Sequence, residues 1–202
     1  ETVANGKKAN IYFNIGAVNA GQTITVDPST VGTTTSFVGT GYPYQRKSFY
    51  VATRFWVFYS NGTHMVYKTS TDGSSWSSIT AIRACTSGDK FSIWLNTTHI
   101  HYAYASAVSG DPLYYRCGTP NSDGTITWSA AEQTAVSGTS GQTYYQPSVA
   151  VDSGGHTWIG YRNYTSTVRY PYVTKSSTTD GTWSTSTGFP YQLDTGGSST
   201  NC

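Results

Sequence analysis

Charge, sulfur and helix-forming residues are scarce in this 202-residue chain. Asp, Glu, Lys and Arg make up 11% of it, against about a quarter in ordinary soluble domains. It has two Glu, Glu1 and Glu132, one Met and little Leu. That excludes a helical bundle or coiled coil, which draws on Ala, Leu, Glu and Lys. The basic residues form no stripe, Lys7-Lys8 and Arg46-Lys47 being the only basic pairs, so no nucleic-acid partner is expected. No apolar run approaches ~18 residues, so no membrane span is expected. The three Cys (Cys85, Cys117, Cys202) include no Cys-x-x-Cys. His99 and His101 share a strand face without a third ligand nearby, so neither a metal nor a cofactor is expected. The start at Glu1, with no leader and no initiator Met, reads as a processed mature chain or a fragment.

What is abundant is hydroxyl and aromatic: 33 Thr, 26 Ser, 17 Tyr, 7 Phe, 6 Trp and 21 Gly. Such a composition suits strands and tight turns, and the aromatic surface is too large for a disordered chain. Three sequons, at Asn61, Asn96 and Asn163, are expected as exposed glycosylation sites. With the low charge they suggest an extracellular or cell-surface setting.

Three segments repeat one order of features. Phe49-Tyr50-Val51, Phe55–Tyr59 and Met65–Lys68 precede Asp72-Gly73 and Trp76. Phe91–Trp94, His99–Tyr104 and Leu113–Arg116 precede Asp123-Gly124 and Trp128. Ser148–Val151, His156–Tyr161 and Val168–Val173 precede Asp180-Gly181 and Trp183. The Asp-Gly pairs stand 51 (124 − 73) and 57 (181 − 124) residues apart. A period near 50 with four short strands per repeat predicts β-propeller blades. Asn61-Gly62 and Asp152-Ser153-Gly154-Gly155 are hairpin signals, since these residues tolerate positive φ. The expected fold is all-β: an N-terminal β segment over 1–46, three four-stranded antiparallel blades over 47–195, and a Ser/Thr/Gly-rich tail over 196–202. The N-terminal part, with strand candidates at Ile11-Tyr12-Phe13-Asn14-Ile15 and Thr23-Ile24-Thr25-Val26, reads as a degenerate blade or a strand-exchange region.

The Ser/Thr-x-Asp-Gly…Trp-Ser segments resemble the Asp-box repeat of the sialidase and neuraminidase superfamily. The three copies, Asp72-Gly73 to Trp76, Asp123-Gly124 to Trp128 and Asp180-Gly181 to Trp183, depart from its usual spacing. The resemblance implies that each box closes the hairpin between a blade's third and fourth strands. The Asp would accept backbone N–H bonds and the Trp would pack beneath as a lid.

In that family catalysis takes an arginine triad, a Tyr nucleophile paired with Glu, and an Asp acid/base. The residues nearest to such roles are Arg46, Arg162 and Tyr161. Tyr42-Pro43-Tyr44-Gln45-Arg46 lacks the family's Arg-Ile/Leu-Pro order, and Glu132 is expected in an outer strand far from the axis. The B–C turns and D–A linkers share the face through which family ligands enter, and Asn61 and Asn163 are placed in such turns. The expectation is a non-catalytic, sialidase-like propeller module with a surface-structural, assembly or glycan-binding role. Its partners would be glycans, further copies, or the remainder of a longer chain completing the ring. The alternative is an exo-sialidase-type glycoside hydrolase whose missing catalytic residues lie outside this chain.

Overall fold

A computed structural model describes residues 30–165 and 167–194. The strand candidates at 11–15 and 23–26, the 196–202 tail and Cys202 lie outside the described residues. The chain is all-β, built from three sheets in which every strand pair is antiparallel. The first holds β1 (Ser48–Val51), β2 (Arg54–Ser60), β3 (His64–Ser70) and β4 (Thr80–Ala84) in chain order. The second holds β5 (Phe91–Leu95), β6 (Ile100–Ala105), β7 (Leu113–Pro120) and β8 (Ile126–Trp128). There β9 (Gln133–Val136) pairs with the end of β7 that β8 leaves free. Its outer strand is thus broken in two, at residues 129–132. The third holds β10 (Gln142–Val151), β11 (Thr157–Thr165), β12 (Val168–Lys175) and β13 (Tyr191–Gln192). Four-stranded meanders joined by short turns are the blades that the repeat predicts.

Alternation places the core between blades. Trp56, Phe58, Met65 and Tyr67 of the first blade pack against Phe91, Ile93, Ile100 and Tyr102 of the second. On its other side the second blade sends Ala103, Leu113 and Tyr115 against Tyr144, Val149, Ile159 and Tyr161 of the third. The opposite face of β2 is not sandwiched between blades throughout, as its apolar alternation suggests. Tyr59 lies under the segment 31–40, where Thr34 Oγ1 donates to Ser60 O, while Phe55 stays exposed.

The Asp-Gly turns lie between the third and fourth strands of their blades, each held by its Asp carboxylate. Asp72 Oδ1 accepts Ser74 N, Ser75 N and Ser70 Oγ. Asp123 Oδ1 accepts the N–H and hydroxyl of Thr125, and Asp180 Oδ1 those of Thr182. These donors hold all three carboxyls below the ordinary range, led by the Ser75 N–H at Asp72 and by the Thr hydroxyls at Asp123 and Asp180. Gly73, Gly124 and Gly181 have φ of +78°, +92° and +87°, where only glycine is unstrained.

Each later turn also docks on the blade before it. Arg54 Nε donates to Ser122 O beside the second turn, and Gln133 Nε2 donates to Gly181 O of the third. Trp183 packs on Tyr115 of the second blade, while Trp128 stays within its own blade, edge-on to Tyr102 under the Arg116 guanidinium. A Cβ on Gly181 would stand 3.0 Å from Ser129 Oγ and 3.2 Å from Cys117 Cβ. Gly181→Ala is therefore expected to destabilise the protein by about 1–3 kcal/mol, combining left-handed strain with that crowding. Urea unfolding should show a lower midpoint at unchanged slope.

Candidate functional site

The segment between residue 40 and β1 is positioned by one turn and one side chain. Pro43 takes the second place of a turn closed by Gln45 N donating to Tyr42 O at 2.9 Å, a place for which its ring presets φ. The turn lays Tyr44 on Tyr42, with ring centroids 5.5 Å apart and planes 4° apart. Gln45 is buried, and its Nε2 donates to Asp89 O and Pro147 O. It thereby ties the segment to the linker before β5 and to β10. Lys47 is buried beside it, over the Phe91 ring at 4.1 Å and donating to Phe91 O. Burial pushes its ammonium down to about 7.

Tyr42 and Tyr44 remain 42% and 54% exposed. Tyr44 borders a pocket of about 210 Å³ shared with Gln146, Ser148, Gly160, Arg162 and Pro171. A bulge shapes its floor: register shifts between Tyr145 and Ser148, and Gln146 takes φ +50°. Pro147 cannot give a ladder N–H, which explains the break. The Arg162 guanidinium lies 5.1 Å from the Tyr145 ring centroid. Burial holds the Tyr44 phenol above its ordinary value, Tyr42 adds to this, and Arg162 opposes it.

The other candidate residues are dispersed. Arg46 brackets its guanidinium between Phe49 and Trp94, 5.5 and 5.7 Å from the centroids, and does not line the Tyr44 pocket. Tyr161 helps line the Tyr44 pocket, but its ring packs with Tyr144 and Tyr172. Strand alternation sends neighbours 161 and 162 to opposite faces. Burial raises the Tyr161 phenol, with Tyr144 and Tyr172 adding to the shift. Tyr161 and Arg162 border one pocket, whereas Arg46 does not line it.

Glu132, expected in an outer strand far from the axis, is engaged between blades. It stands in the break between β8 and β9, where it pairs with Arg83 of β4 and accepts the Tyr102 hydroxyl at 2.6 Å. Arg83 also lies over Tyr104 at 3.4 Å and Tyr114 at 4.9 Å. A Tyr beside a carboxylate and an Arg has the parts of an activated nucleophile. The electrostatics run the other way: Tyr102 is 1% exposed and its phenol is raised, by burial first and then by the Glu132 charge. The triad is a clamp between the first two blades.

Two of the other carboxylates are used in turns. Asp152 accepts Gly154 N, His156 N and Trp158 Nε1, the indole leading the interactions that hold its carboxyl at about 2. Asp111 accepts Ser106 Oγ. Among the described residues no carboxylate lines the Tyr44 pocket, and no three His, Cys, Asp or Glu cluster as metal ligands. His99 and His101 do share a face, but His101 is buried between Tyr115 Oη at 2.8 Å and Asn96 Nδ2 at 3.2 Å. Cys85 and Cys117 are buried free thiols.

Two of the three sequons occupy turns as expected. Asn61 Oδ1 caps Thr63 and His64, and Asn96 Oδ1 caps Thr98 and His99. Asn163 does not: it lies within β11, is 3% exposed, and gives its amide to Gln142 Oε1. The third blade runs four residues further along β11 than the sequence pattern predicts, which turns an expected loop into strand.

No family model matches the chain, and no curated protein does. Among solved structures it is similar to an endo-arabinase from Bacteroides thetaiotaomicron. That match has 12% identity and a TM-score of 0.45, covering 80% of this chain and 66% of the other. It is similar also to the catalytic domain of an α-L-arabinofuranosidase from Coprinopsis cinerea, at 15% identity and TM-score 0.42, covering 78% and 55%. A third is an α-L-arabinanase from Penicillium chrysogenum complexed with arabinobiose, at 14% identity and TM-score 0.44, covering 70% and 49%. The chain spans between about half and two thirds of the length of these proteins. None of the three names is that of a sialidase.

Proposed function

We propose that this chain is a non-catalytic propeller module that binds glycans through the Tyr44 pocket. The observation that carries this reading is an exposed, parallel Tyr42–Tyr44 stack beside Gln146, Ser148 and Arg162. Aromatic faces take the C–H side of a sugar ring. A guanidinium fork takes a carboxylate or a pair of vicinal hydroxyls. Glycosidic hydrolysis generally needs two carboxyl groups flanking the bond, and the described lining offers none.

The test is a glycan array followed by titration of the strongest binder, including sialylated and neutral glycans. Tyr44→Ala and Arg162→Ala are each expected to weaken binding at least tenfold. Unchanged affinity in both variants would overturn the assignment.

The extracellular setting is part of the same proposal and has its own check. Peptide mapping of native material should find a glycan on Asn61, whose turn is accessible, and none on Asn163. A modified Asn163 would contradict the burial argument. Completion of the ring by further copies or by more of the chain would show in the native oligomeric state and intact mass.

A further inference from the structure

A second concave site lies between the second and third blades. It encloses about 510 Å³, within the range of small-molecule sites. Three rings, Tyr144 of β10, Tyr161 of β11 and Tyr172 of β12, line it with Asn163, Thr134 and Thr185. The rings are fixed: Tyr144 stands edge-on to Tyr161 at 5.3 Å, and Tyr172 stacks on Tyr161 at 5.7 Å. Two phenols are anchored at their tips, Tyr144 Oη donating to Ser137 O and Tyr172 Oη to Gln192 Oε1.

Asn163 supplies the polar end. Its Nδ2 is used by Gln142, but its buried Oδ1 accepts no hydrogen bond among the described residues. A buried carbonyl left without a donor is costly, so the position favours an incoming hydroxyl. Among the described residues no charged side chain lines the cleft. An anionic ligand would therefore lose its hydration with no counter-charge to replace it, whereas an uncharged ligand gives up far less.

From this combination we infer that the cleft is a separate binding site for a neutral, hydroxyl-rich ligand, a short uncharged oligosaccharide. The sugar ring lies against Tyr172 and Tyr161, and one of its hydroxyls donates to Asn163 Oδ1. The site goes beyond the Tyr44 pocket and stands or falls separately: Tyr161 borders both, but Tyr144 and Tyr172 line only the cleft, and Tyr44 and Arg162 only the other pocket.

Isothermal titration of the full chain with a panel of neutral pentose and hexose oligosaccharides, with sialyllactose as the anionic comparison, tests it. Two variants address the cleft: Tyr172→Ala, which removes a half-buried platform, and Thr134→Trp, which fills the cleft from the exposed face of β9. Near-UV circular dichroism confirms that each is folded. Both should weaken the strongest neutral ligand at least tenfold, and Tyr50→Ala, an exposed ring on β1 that lines neither pocket, should leave that affinity within twofold. Neutral binding that survives both cleft variants, or that only Tyr44→Ala removes, overturns the second site and leaves the Tyr44 reading standing. Loss of sialyllactose binding in Tyr172→Ala overturns the preference for uncharged ligands. Failure of every neutral ligand at millimolar concentration overturns the second site, and the Tyr44 reading then rests on the array.

Discussion

Replacing Glu132 with Ala is expected to destabilise the protein by about 2–4 kcal/mol, although no sequence motif includes this residue. Two losses combine. The Arg83 guanidinium is left between blades without its counter-ion, and the Tyr102 hydroxyl, almost fully buried, loses its acceptor. Each partner of the pair retains about a fifth to a quarter of its side-chain exposure, 21% and 24%, and Arg83 keeps its contacts with Tyr104 and Tyr114. The expected loss therefore sits below that for a fully buried pair. Tyr102→Phe alone should cost about 1 kcal/mol, an ordinary hydrogen-bond loss. In a double-mutant cycle the pair should couple, because the Tyr102→Phe ring carries no hydroxyl for the loss of Glu132 to strand. Chemical unfolding of the four proteins measures this. Additive effects would show that the hydrogen bond contributes nothing.

Acidification is expected to weaken the fold between about pH 6.5 and pH 4 through His101. Burial, with a smaller contribution from His99, lowers this imidazole from 6.5 to about 4. The unfolded chain thus takes up a proton near pH 6.5 that the folded chain takes up only near pH 4. Between those values the unfolded state binds more protons, so the His101 contribution to stability rises with pH through the window and levels off above it. The span corresponds to about 3 kcal/mol. The turn carboxylates act in the same direction but lower down, since Asp152 titrates near 2 in the fold rather than at 3.8. His101→Gln keeps hydrogen-bonding capacity for Asn96 and Tyr115 but cannot titrate. It should flatten the slope of unfolding free energy between pH 4 and 6.5 and leave the steeper loss below pH 4 intact. A slope unchanged by the substitution would place the titrating group elsewhere.

The blades were legible because local chemistry repeats. Alternating aromatics such as Phe55–Tyr59 indicate strands, and Asn61-Gly62 and the Asp-Gly pairs indicate turns that tolerate positive φ. The departures share a cause in sequence distance or in broken alternation. Gln146-Pro147 interrupts β10, so Tyr144 and Tyr145 read as loop and the matching half of β11, with Asn163, reads as a turn. Glu132 meets Tyr102 across 30 residues and Arg83 across 49, separations that a periodicity cannot encode. The Tyr42–Tyr44 stack has a local signal, a Pro in the second place of a four-residue turn. The same stretch, compared with a family motif, points to Arg46 instead and hides the two rings. Gln45, which carries the turn onto β5 and β10, bonds to residues 44 and 102 positions away.

Native mass spectrometry of the chain, incubated with the glycan that the array selects and followed over time, tests the binding and the absence of cleavage together. The expected spectrum holds protein plus intact glycan, with the complex depleted in Tyr44→Ala and no shorter saccharide accumulating over hours. Release of shortened glycan by the wild-type chain would contradict the non-catalytic reading, and a complex of equal abundance in Tyr44→Ala would contradict the site.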